Sequence, residues 1–124
     1  MRINYVLDCA DPDFLANFWA AVLGYERGEF RPPSPYVSLN GGAAGQPDLL
    51  LQGVPEPKQG KNRMHLDLRV KDSEAEVARL VALGATVLQG PFDDEGHWTT
   101  VLADPESNEF CVIVSPEDRR RRGR

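Results

Sequence analysis

The sequence has no apolar run near the roughly 18 residues that a membrane-spanning helix needs, and it does not begin with the basic, apolar, small-residue succession of a secretion signal. The expectation is therefore a cytoplasmic protein with no membrane partner. Cysteine is scarce: Cys9 and Cys111 each lie in a strand-like stretch, which suits thiols in a reducing compartment and excludes a disulfide scaffold. Positive charge is also short, with a formal net charge of -5, and this argues against nucleic acid as a partner. The exception is the basic tail Arg119–Arg124, read as a solvated, disordered end because no aromatic residue is interleaved with its arginines. The glycines of NGG and AAG lack the strand-to-helix context of a phosphate loop, so they are turn formers.

What is present is a composition 41% hydrophobic and 27% charged over 124 residues, which suits one domain with one core. An internal repeat organises it. INYVLDCAD (Ile3 to Asp11) and MHLDLRVKD (Met64 to Asp72) are both alternating strands that end in aspartate. After Asp11 and Pro12, the residues Phe14, Leu15, Phe18, Trp19, Val22 and Leu23 form an apolar stripe at helical spacing that stops at Gly24. After Asp72, Val77, Leu80, Val81 and Leu83 repeat the stripe up to Gly84, with Ser73 and Glu76 spaced as a capping box.

Strands are then predicted near 25–30, 36–39 and 48–52 in the first half, and near 86–90, 97–102 and 109–114 in the second, separated by turn formers. The expected fold class is α+β, with two βαβββ modules in tandem forming a curved mixed sheet around a cavity, helices outside. The single domain would span 1–116, made of module one (1–54), a linker (53–63) and module two (64–116), with the tail over 117–124.

If each helix covers one face of its sheet, strand alternation leaves the other face to line the cavity. Asn4, Val6 and Asp8, Leu50 and Gln52, His65, Asp67 and Arg69, and Glu109, Cys111 and Ile113 fall on that side. A concave surface of mixed polarity is a small-molecule site by default.

The first strand, DPDFLANFWAAVLGYE, HLDLRVKD, the second helix ending in LGA, and WTTVLADPESNEFCVIV together resemble the vicinal-oxygen-chelate superfamily, which includes glyoxalase I, bleomycin-resistance proteins and extradiol dioxygenases. The linker PKQGKNRMHLDL resembles its glyoxalase-like subgroup most. The resemblance implies paired βαβββ modules around a cavity, a homodimer, and in the enzymes a divalent metal held by four side chains. Carried over position by position, those four fall on Asn4, Gln52, His65 and Cys111, of which only His65 is the expected type. Neutral amide oxygens from Asn4 and Gln52 do little to offset the desolvation of a dication, so no cofactor is expected. If a metal is present, His65 with Gln52 and Cys111 would hold it, and Asp67 is a substitute carboxylate for a shifted centre.

Without a metal, His65 is either a general acid or base or a hydrogen-bonded cavity histidine. Asp67 either orients that imidazole or pairs with Arg63 or Arg69. Asn4 and Gln52 can read a carbonyl or hydroxyl. Trp98 either stacks on a planar ligand, alongside Cys111 in the lining, or lids the core. The expected function is binding of a small, partly apolar organic molecule in the cavity between the modules, with His65 and Asp67 as candidates for proton transfer beside a carbonyl. The alternatives are a metal-dependent lyase or dioxygenase and a drug-sequestering resistance protein.

Overall fold

A computed structural model describes residues 1–122. The chain divides into two compact units, Met1–Gln59 and a second that starts at Gly60, a division that falls within the predicted linker. Each unit runs β-α-β-β-β and builds its own four-stranded mixed sheet, as the repeat predicts.

In the first unit, β1 (Tyr5–Cys9) leads into α1 (Pro12–Leu23), followed by β2 (Glu26–Arg27), β3 (Tyr36–Asn40) and β4 (Leu49–Gly53). The Asp11 carboxylate accepts from the Phe14 N–H at 3.1 Å, Pro12 occupies the first turn, and Gly24 ends the helix at φ 69°, a left-handed conformation that glycine adopts without cost. Leu15, Ala16, Phe18, Trp19 and Val22 are buried, with the Phe18 and Trp19 rings meeting edge to face at 5.3 Å. Phe14, included in the predicted stripe, is instead exposed, at the margin of the arc that Leu15, Phe18, Trp19 and Val22 share.

The strand order is β1-β4-β3-β2, with β1 parallel to β4 and the other pairs antiparallel. Register puts Leu7, Leu51 and Val37 in one row and Leu49 and Leu39 in the next, on the side that α1 covers. The opposite side carries Val6, Leu50 and Ser38, then Asp8, Gln52 and Tyr36.

In the second unit the elements are β5 (Asp67–Arg69), α2 (Ser73–Leu83), β6 (Thr86–Asp94), β7 (His97–Ala103) and β8 (Glu109–Val114), in the order β5-β8-β7-β6 with β5 parallel to β8. The cap of α2 is Asp72, which accepts from the Ala75 N–H at 3.2 Å; Ser73 is the first helical residue, and Glu76, its predicted partner in a capping box, pairs with Arg79 instead. Leu80 is fully buried, whereas Val81 and Leu83 are exposed: α2 presents a narrower apolar face than α1. β5 is shorter than the predicted strand. Its backbone nevertheless stays on β8 at both ends, since the Cys111 N–H donates to the Leu66 carbonyl at 2.9 Å and the Val70 N–H to the Ile113 carbonyl at 3.0 Å.

β6 runs longer than the predicted 86–90, passing Gly90 and Pro91 through two register irregularities. Gly90 is required there. Its φ is +100°, and a Cβ would lie 2.6 Å from the Thr99 carbonyl oxygen.

The expectation of a disordered end over 117–124 is corrected: Pro116–Arg121 form a third helix, α3. The Ser115 hydroxyl caps the Asp118 N–H at 3.1 Å, Pro116 starts the helix, acids fill the first turn and arginines the last, the arrangement that the helix dipole favours. Arg119 ties the helix to the sheet through Asp93 and the Gly96 carbonyl, Arg121 pairs with Glu117 and Arg122 with Asp72. These arginines are thus engaged within the fold rather than presented as one basic patch. Residues 123 and 124, the rest of the predicted tail, lie outside the described residues. No helix among the described residues is long and apolar enough to cross a membrane.

Candidate functional site

Because β5 enters the sheet at Asp67, His65 sits two residues ahead of it on the extended lead-in rather than inside a strand. Alternation along β5 and register with β8 put Asp67 opposite Cys111, and next to Cys111 stands Val101 of β7, then Gln89 of β6. The following row on this face is Arg69, Ile113, Thr99 and Phe92. This side of the sheet is away from α2 and combines polar groups at the β5 edge with apolar groups towards the centre.

The His65 imidazole Nε2 lies 3.2 Å from the Asp67 carboxylate Oδ1, with side-chain exposures of 37% and 51%. Asp67 therefore pairs with the histidine. Donor atoms of His65, Asp67 and Cys111 all fall within 4.8 Å of one another. Burial, reinforced by the adjacent Asp67 carboxylate, pushes the Cys111 thiol up to about 11. At neutral pH the Cys111 side chain is thus a protonated thiol. Such a thiol is a weak nucleophile, which leaves the imidazole as the group suited to exchanging protons.

The predicted site residues are divided between the two units. His65, Asp67 and Cys111 come together. Asn4 and Gln52 belong to the first unit, Asn4 exposed ahead of β1 and Gln52 half-buried on β4 between Asp8 and Tyr36, so Tyr36 joins the Asp8 and Gln52 that the sequence placed on this face. Trp98 lies on the opposite side of its own sheet from Cys111. It is opposite the buried Val114 and three residues from Val101, and an odd spacing reverses the face. There the Arg119 guanidinium sits over the indole, 5.0 Å from the ring centroid, and both border a cleft of about 610 Å³ that was not foreseen. The shared parity of Trp98, Thr100 and Leu102 was the available signal. His97, at the start of β7, is half-buried.

The superfamily's enzymes carry a divalent metal, and the donor chemistry of the second unit fits one. An imidazole, a carboxylate and a thiol that can deprotonate on binding make a zinc-type set with room for an exogenous ligand. Within this unit the carboxylate beside His65 and Cys111 is Asp67, the substitute anticipated for a shifted centre. A bound ion would act as a Lewis acid towards a carbonyl oxygen.

A family model described as a glyoxalase-like domain matches residues 4–113. No curated protein matches the sequence. Among solved structures, the chain is similar to a glyoxalase/bleomycin resistance protein/dioxygenase family enzyme from Burkholderia phytofirmans PsJN, at 22% identity and a TM-score of 0.73 over 92% of this chain and 98% of that one. A protein from Agrobacterium tumefaciens gives 24% identity and a TM-score of 0.72 over 93% and 98%. A member of the glyoxalase/bleomycin resistance protein/dioxygenase superfamily from Sphaerobacter thermophilus gives 20% and 0.68 over 93% and 98%. At these identities the structural likenesses speak for the fold, and the family match covers most of the sequence. The chain belongs to the glyoxalase-like domain family, within the vicinal-oxygen-chelate superfamily.

Proposed function

We propose that this glyoxalase-like protein binds a small, partly apolar organic molecule on the sheet face that carries His65, Asp67 and Cys111, and that His65 exchanges a proton with it beside a carbonyl group. The observation that carries this reading is the 3.2 Å pairing of the His65 imidazole with Asp67. A carboxylate at that distance fixes the ring's orientation, and an imidazole held in one orientation is suited to take up a proton and return it. Val101, Ile113 and Phe92 on the same face offer apolar contact to the body of the molecule, and Gln89 and Arg69 offer hydrogen bonds at its ends. The chain is proposed to work as a homodimer in the cytoplasm.

The test is a thermal-shift screen with aromatic and α-carbonyl compounds, repeated on His65→Ala. A compound that the variant still binds but no longer turns over supports proton transfer by His65. Equal turnover by both proteins removes His65 from the chemistry, and equal binding without turnover leaves a sequestering protein.

A second reading, a metal-dependent lyase, rests on the closeness of the three donor groups in the second unit. Elemental analysis of protein purified without chelator or a nickel column decides between the two. One transition metal per chain, lost in Cys111→Ser, favours the second reading, and absence of stoichiometric metal favours the first.

A further inference from the structure

The two helices cover their sheets unequally. In the first unit α1 packs across β2, β3 and β4, whereas in the second α2 seats chiefly on β8, where Leu80 is fully buried. The helix-facing side of β6 and β7 is left partly open. The gap is a cleft of about 610 Å³, with Val77 of α2 on one wall, Val87, Pro91, Trp98 and Thr100 on the floor, and Arg119 of α3 on the far side. Its volume lies in the range of small-molecule sites, about 300–1,000 Å³. It is on the reverse of the sheet from His65, so it is separate from the site proposed above.

Arg119 is held in place as a binding group would be. One terminal nitrogen donates to Asp93 and, at 2.8 Å, to the Gly96 carbonyl, while the guanidinium rests on the Trp98 ring. Its Nε is buried and has no hydrogen-bond partner among the described residues. A buried N–H without an acceptor is costly, and an oxygen from a bound molecule is the partner that the fold does not supply. The charge balance disfavours an anion, because Asp93 already offsets Arg119 and the rim adds Glu74.

We propose that this cleft is a second ligand site, taking an uncharged, flat, mainly apolar molecule with one carbonyl-type acceptor. The apolar body lies along Val77, Val87 and Pro91 beside the indole, and the acceptor meets Arg119 after a small adjustment of its side chain.

A suitable probe is 6-propionyl-2-(dimethylamino)naphthalene, which is uncharged, planar and carbonyl-bearing, and whose emission moves to the blue in apolar surroundings. Titration of the whole chain is expected to show saturable one-to-one binding with a blue shift and quenched tryptophan emission. Val77→Trp fills the cleft, and Val87→Glu places a charge at a position that is already 42% exposed. Each should weaken binding at least tenfold while thermal unfolding confirms the fold, and His65→Ala should bind as the wild type does. Absence of saturable binding overturns the proposal, as does unchanged affinity in both cleft variants. Loss of binding in His65→Ala alone also overturns it and places the probe on the opposite face, where it would support the first site.

Discussion

The Nε2 of His65 and the Oδ1 of Asp67 face each other at 3.2 Å on the lead-in to an edge strand, both side chains more than a third exposed. Even where such a contact is charged, a pair so open to water contributes little to stability, about 0–1 kcal/mol. His65→Ala and Asp67→Asn are therefore expected to unfold in urea within about 1 kcal/mol of the wild type. If catalysis is present, His65→Ala should lower its rate by roughly two to four orders of magnitude. A larger stability loss would mean that the pair belongs to the core rather than to a site.

The Cys111 thiol, raised to about 11 from 9.0 by burial and by Asp67, makes stability depend on alkaline pH. In the unfolded chain the thiol gives up its proton first, so between these values the native state holds more protons and stability falls as pH rises. Urea unfolding from pH 8 to pH 11.5 should show this decline, present in the wild type and flattened in Cys111→Ser. The same protonation predicts slow alkylation of Cys111 by iodoacetamide at pH 7.5.

α2 offers an internal comparison, because Leu80 is fully buried and the neighbouring Val81 is 46% exposed. Leu80→Ala removes methyl groups from a packed interior and is expected to cost about 2–5 kcal/mol. Val81→Ala should stay within about 0.5 kcal/mol of the wild type. Denaturant midpoints of the two variants check the difference. Similar losses would mean that α2 is seated with a different face towards β8.

Much of this fold was legible because helix and strand periods are local properties. Asp11, Pro12 and Gly24 each sit where they cap, start or end α1, and the twice-repeated β-α-β-β-β order follows from the same signals. The elements that were misjudged depend on distant partners. α3 looked like a charged tail, because its anchors, Asp93, Gly96 and Trp98, are more than twenty residues away. β6 continues past Pro91 only because β7 supplies the pairing. At the site, alternation brought Asp67 and Cys111 to one face correctly, since a single register fixes both. Trp98 was assigned by its chemistry instead of its parity along β7, and it lies on the reverse side.

The docking of α3 supplies the last prediction. Asp93 has its carboxyl held below the usual range chiefly by its hydrogen bond from Arg119, although its side chain is exposed. A carboxylate whose folded value is depressed lends stability above its unfolded value, and that stability disappears as pH falls through the folded one. Arg119→Ala removes the cause, so the variant should lose less stability than the wild type on acidification from pH 5 to pH 2. At neutral pH the same variant should already be less stable, because α3 loses its hold on Gly96 and the Trp98 ring. Hydrogen exchange should then show faster opening of residues 116–121 with β5 unchanged. Faster exchange throughout the second unit would instead make α3 part of its core, whereas confinement to the helix identifies Arg119 as a latch.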